Sequence, residues 1–356
     1  MSDNDIRLLQ RLAGEPAGPG RVDVRQAVSE GRRRLRRRKL AAGAALAVLV
    51  AAVPVSAAVW SRPAPSAPAS RPDSCEPGVK LPMPVGSKKS FVVAGDRSAR
   101  YLAGEIDGRA ALWHDGTLEV VAEPGGPTRF TAVNSAGLAV GVGKGKAWTY
   151  AAGTFTQLAS PTAALATAVS ENGIVVGARE QDNKVVPAVW DSIEATARDL
   201  PTRNGESGQA VWVSDEGIVL GLIRGTYYRW GPSAGYTNEI DLDGEKNLSL
   251  DTAVTNGQMI AGSVTVNGKE AGIRAYLLSD AQRLPDDVME PTAINSRNWI
   301  AGSDPLAGGA KLLVGDTLIA VPGGGRAVIT AIATDGGTLG GYDGEAATTW
   351  RCQITG

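Results

Sequence analysis

The chain has 356 residues, 43% hydrophobic and 21% charged, with 45 glycines and 5% aromatics, enough apolar material for a large core crossed by many turns. That profile suits an all-β domain better than a helical one, and the single histidine excludes His-clustered metal sites. The formal charge of -1 hides an asymmetry: residues 1–39 carry a net +6 and the remainder a net -7.

Taken in order, residues 1–39 hold a short amphipathic helical pattern, Ile6, Leu9 and Leu12, stopped by Gly14 and Pro16. A second pattern, Val22, Val24, Ala27 and Val28, runs into the basic run Arg32, Arg33, Arg34, Arg36, Arg37, Arg38 and Lys39. The run reads as a cytoplasmic membrane flank that meets anionic lipid headgroups, ahead of a nucleic-acid or partner-docking reading. Residues 40–61 carry no charge and consist almost wholly of Ala, Val and Leu. About 20 apolar residues span a bilayer core, so this is the expected transmembrane helix, with the basic side inside and everything after Trp60 outside. A cleaved signal peptide is the rival, with Ser56 and Ala58 as a small-x-small site, but the preceding charged segment is long for it. Residues 62–74, with four prolines, read as a semi-rigid spacer.

Residues 75–356 are built on a ten-residue frame, read most clearly at Ala168 to Gly177. Small and β-branched residues precede a polar turn, and an apolar run closes on glycine. Copies start at Gly95, Ala132, Ala168, Trp212, Ala253, Ala293 and Ala331, and close on Gly104, Gly141, Gly177, Gly221, Gly262, Gly302 and Gly340. Each frame reads as a β-hairpin, and a period near 40 residues marks units that must pack on one another. A third strand follows, marked by Trp113, Trp148, Trp190, Trp230, Tyr276, Leu313 or Trp350, then a turn and a fourth strand such as LEVVAE or LIAVPG. Four antiparallel strands repeated seven times predict an all-β, seven-bladed β-propeller preceded by one transmembrane helix. The recurring large rings are expected to pack between blades.

The last unit stops after its third strand at Cys352, and Val79-Lys80-Leu81-Pro82 resembles the missing fourth strand. The N- and C-terminal strands are therefore expected to close one blade, leaving no open edge. Cys75 and Cys352 then flank the cut turn and are expected to form a disulfide outside the membrane, worth on the order of 5 kcal/mol by chain entropy. The same meander puts first-to-second and third-to-fourth turns on the membrane side. The second-to-third connections look outward, and the span from closing glycine to bulky residue varies as 9, 7, 13, 9, 14, 11 and 10 positions. Arg109, Lys144, Arg179, Asp182, Lys184, Arg224, Asn267, Lys269, Asp304 and Asp343, on those connections, are the candidate binding-loop residues.

The stretches AVNSAGLAVG, AVSENGIVVG and AINSRNWIAG, each followed by an aromatic-bearing strand, resemble the extracellular HAF repeats of secreted or membrane-attached bacterial proteins. The segment before the membrane looks like the stubs of high-GC Gram-positive membrane proteins, some of which neighbour sigma-factor systems. The resemblance implies a location and a fold, and no reaction.

No catalytic constellation is expected. His114 reads as a surface turn residue, and Asp96, Glu105, Asp107, Asp115, Glu171, Asp215 and Asp335 as solvated turn acids. Asp241 to Glu245 lacks the distal ligand of a calcium loop. No cofactor, metal or nucleic-acid partner is expected, and the chain is expected to act as a monomer. The leading function is a membrane-tethered binding module for a protein or cell-envelope glycan. An extracytoplasmic polysaccharide hydrolase or lyase, and a signalling protein whose stub docks a regulator, are the alternatives.

Overall fold

The structure is a computed structural model that describes residues 71–202, 205–231, 238–239, 248–266, 269–277, 281–282, 289–303, 308–315 and 317–355. The expected cytoplasmic segment, the membrane helix at 40–61 and most of the spacer lie outside these residues. Among the described residues no helix is long and apolar enough to cross a membrane.

The strands form seven antiparallel sheets in a propeller-like succession. Sheets one to six span residues 90–121, 129–157, 164–199, 208–239, 248–282 and 290–321, each a four-stranded meander. Sheet seven takes three strands from 328–355 and completes itself with Arg71–Cys75 and Val79–Lys80, both paired with Ala347–Thr355. The expected terminal closure is therefore present, with Val79 opposite Thr349. Cys75 lies directly opposite Cys352, and the two form the disulfide across a sequence separation of 277. The ladder begins at Arg71, inside the stretch read as spacer; Pro72 is accommodated because this segment pairs on one side only.

Neighbouring sheets are joined by the same groups repeatedly. A threonine at the bulge of the inner strand donates to the inner strand of the next sheet: Thr131 to the Ala166 carbonyl at 2.9 Å, Thr167 to Ala210 at 2.6 Å, Thr292 to Ile329, and Thr330 to Val92 at 2.8 Å. The last of these links sheet seven back to sheet one. The third-strand indoles act alike. Trp113, Trp190 and Trp230 are fully buried and donate at 2.8 Å to the carbonyls of Pro82, Ala159 and Pro201, where the preceding fourth strand ends; Trp350 does the same to Pro322. Each ring thus fills a seam and satisfies its one polar atom there.

The closing glycine has a steric cause. Its partner strand bulges, so a Cβ on Gly104, Gly141, Gly177, Gly302 or Gly341 would fall within 3.0 Å of the carbonyl oxygen of Phe91, Arg129, Leu165, Glu290 or Val328.

Register corrects the frame in three copies. Ala94, not Gly95, occupies the first position of sheet one, opposite Ala103. Val254 rather than Ala253 lies opposite Ala261 in sheet five. Gly341, not Gly340, closes sheet seven, opposite Ile329. One-residue changes in turn length cause all three shifts. The bulky position of sheet two is likewise Tyr150, 4% exposed, whereas Trp148 is half-buried and lies opposite Gly141.

Candidate functional site

The two ends of the sheets differ. On one, first-to-second turns meet third-to-fourth turns, as Arg100 shows by clasping Asp115 with both nitrogens at 2.8 and 2.7 Å. On the other, second-to-third turns meet the connections between sheets. There Asp107 accepts the main-chain N–H groups of Lys88 and Lys89, and Lys184 reaches the Gly205 carbonyl at 3.0 Å.

In sheets one to four the second-to-third connections are tight turns rather than long loops, whereas the pairing of Ser303 with Ala310 and of Tyr342 with Ala347 leaves longer connections in sheets six and seven. Asp107-Gly108, Lys144-Gly145, Asp182-Asn183 and Arg224-Gly225 are two-residue turns with both residues at positive φ, between 47° and 81°. In sheet three the high count reflects longer hairpin arms, Val175–Gln181 and Lys184–Trp190. The candidate loop residues are accordingly scattered over separate hairpin tips. Arg179 is a strand residue, its side chain 12% exposed, held by Asp199. Arg224 pairs with Glu206 at 3.3 Å, and Arg109 opens its strand opposite Ile106. Asp343 caps its turn by accepting the N–H groups of Glu345 and Ala346. Burial raises the Asp343 pKa, but those N–H bonds and Lys80 outweigh it and hold the carboxyl below its ordinary value. Asn267, Asp304 and the expected acidic loop at 241–245 lie outside the described residues, as does the side chain of Lys269.

The turn end brings together residues that the sequence reading left dispersed. The third frame position caps the turn. Asn134 accepts N–H bonds from Ala136 and Leu138 while its amide donates to the Ser170 carbonyl of the next sheet at 3.0 Å. Asn295 repeats this, with Arg297 and Trp299 as donors and the Ala333 carbonyl as acceptor. Asp96 does the capping in sheet one; it is 4% exposed, so it is a buried cap rather than a solvated acid.

One residue further on, the fourth positions are Arg97, Ser135, Glu171, Asp215, Gly257, Ser296 and Thr334. They link sideways. Ser135 donates to Glu171 through its N–H at 2.9 Å and its hydroxyl at 3.1 Å, and Glu171 donates its N–H to Asp215 at 3.0 Å. Ser296 and Thr334 lie 3.3 Å apart, and the Thr334 N–H donates to the Arg97 carbonyl. Arg97 then skips sheet two altogether, binding Asp215 of sheet four at 2.9 Å and approaching Glu171 of sheet three at 3.4 Å. Its guanidinium is 61% exposed, against 25% and 29% for the two carboxylate side chains.

On the same end, in sheet one, His114 is stacked on Tyr101 at 4.0 Å and 9°, with Asp115 at 3.2 Å. The Arg100 hydrogen bond holds the Asp115 carboxyl below its ordinary range. Such an arrangement offers hydroxyl, carboxylate and guanidinium groups to a polar ligand. Among the described residues no group of three or more His, Cys, Asp or Glu side chains could hold a metal ion.

A simple alignment of the seven frames would have exposed this cluster, because the fourth column is polar in six corrected copies. Reading the acids one at a time concealed it.

No family model matches the chain, and no curated protein matches it. Solved structures share its fold. A chain of the mitotic checkpoint complex superposes with a TM-score of 0.52 at 14% identity, over 86% of this chain and 99% of that one. The extracellular domain ascribed to the one-component system BT4673 of B. thetaiotaomicron also gives 0.52, at 10% identity, over 77% of this chain and 40% of that one. The chain thus has a β-propeller-like all-β fold, and the likeness to HAF repeats rests on short motifs alone.

Proposed function

We propose that this protein is a seven-bladed β-propeller carried outside the cell membrane on a single N-terminal helix, and that it binds a protein or a cell-envelope glycan without acting on it chemically. The observation that carries the reading is the fourth frame position. One turn position presents Arg97, Ser135, Glu171, Asp215, Ser296 and Thr334 at one end of a repetitive scaffold, varied polar groups of the kind that binding surfaces on rigid scaffolds use. The disulfide supports an oxidising compartment, and the fold is shared with an extracellular domain.

The test is capture from cell-envelope fractions by the immobilised full chain, beside a Glu171→Gln, Asp215→Asn variant. Capture by the native chain that falls sharply in the variant is the expected result. Equal capture by both, or none by either, overturns the reading.

A further inference from the structure

A cleft of about 210 Å³ opens between sheets three and four on the turn end, beside the Arg97 cluster. Its floor is aliphatic, made by Ile174, Val189, Leu200 and Val219, of which the last three are buried. Gly217 and Gly231 also line it. The rim carries Asp191, Arg198 and Glu216. Arg198 is held by Asp191 at 3.1 Å, whereas the exposed Glu216 carboxylate has no hydrogen bond or ion pair among the described residues.

We propose that this cleft receives one lysine or arginine side chain of a polypeptide partner. The inference rests on the binding-module reading and names the chemistry of what is bound. A long basic side chain has an apolar stem and a cationic head, and the cleft has the matching order, an aliphatic floor below a carboxylate rim. The stem would displace water from the Ile174, Val189, Leu200 and Val219 surface. The head would meet Glu216 directly and Asp191 across from it. Charge points the same way: Glu171, Asp191, Asp215 and Glu216 face Arg97 and Arg198, a surplus of two negative charges over this quarter of the turn end. A sugar ring would be served better by an aromatic platform, which the floor lacks.

The experiment uses the full chain in detergent and the peptide acetyl-Ala-Arg-Ala-amide, with the lysine and glutamine peptides beside it. Saturation-transfer NMR on the peptide reads binding. Signal is expected on the arginine and lysine side-chain methylenes and not on those of glutamine. Glu216→Gln should weaken binding about fivefold, the upper range for a surface ion pair. Gly231→Leu should abolish it by filling the cleft; a Cβ there meets nothing within 4 Å, so the fold is expected to persist, and an unchanged melting temperature checks this. Equal binding of the glutamine peptide, or binding indifferent to both Glu216→Gln and Gly231→Leu, overturns the proposal. Envelope capture by the native chain without any binding of the arginine peptide overturns the cleft and leaves the module reading standing.

Discussion

The two ends of this protein are both built from turns, yet they are wired differently. On the turn end, Asn134, Asn295, Glu171 and Arg97 each bond to a neighbouring or distant sheet, so the end behaves as one cross-linked surface. On the hairpin-tip end, Lys144-Gly145 and Arg224-Gly225 take geometries set by local backbone preference, and their outside bonds, from the Ala164 N–H to the Gly145 carbonyl and from Arg224 to Glu206, reach only the adjoining chain. An exposed hairpin-tip side chain such as Arg224 can therefore change with little consequence elsewhere. A change at the turn end is felt by the next sheet.

The largest test of that contrast lies at the seam. Cys352→Ser removes the covalent link on the turn end and should lower stability by about 2–5 kcal/mol, read from urea unfolding under oxidising conditions. A loss no larger than that of a hairpin-tip variant would break the comparison. Asn134→Ala comes next. It strips two turn N–H groups of their acceptor and the Ser170 carbonyl of its donor in a buried place, so about 1–3 kcal/mol should be lost in the same assay.

The alkaline limit sharpens the picture for the seam between sheets one and two. Burial, then the bond to Glu119, pushes the Tyr150 phenol up to about 12 from 10.0. Because the unfolded chain gives up this proton first, the associated stability is present below pH 10.0 and is lost as pH rises toward about 12. Tyr150→Phe should flatten melting temperature against pH across that window; an equally steep fall in the variant would show that Tyr150 does not set it. The smallest effect is expected for Arg224→Ala. It removes only an exposed pair with Glu206 and should stay within about 0.5 kcal/mol of the parent.

Much of this was readable from residues alone, where the cause is local and repeats. The closing glycine recurs because a carbonyl occupies the place of its Cβ, and that demand appears at nearly the same frame position in every copy. The terminal closure was readable because Val79 to Pro82 repeats the pattern of other fourth strands, and Trp113 does bond to Pro82. What escaped were single-residue adjustments. Turn length differs by one in sheets one, five and seven, and an alternating strand gives no marker for such a slip. Lys184, Glu180 and Gln181 looked like loop because they are polar, although they extend a ladder whose upper part stands clear of the core. The Arg97 cluster escaped for another reason: its members are 118 residues apart in the pair Arg97 and Asp215, and proximity of that kind exists only once the sheets are arranged.

The strand Arg71–Cys75 also determines how the domain would respond to being pulled. Its first residue pairs with Thr355 and its last with Cys352, so tension arriving from upstream would peel it rung by rung, which needs little force. The peeling would halt at the sulfur bridge, a few rungs in, before any sheet had lost its inner strands. The sacrificed rungs would act as a short fuse, with the bridge as the stop that keeps mechanical work out of the rest of the domain.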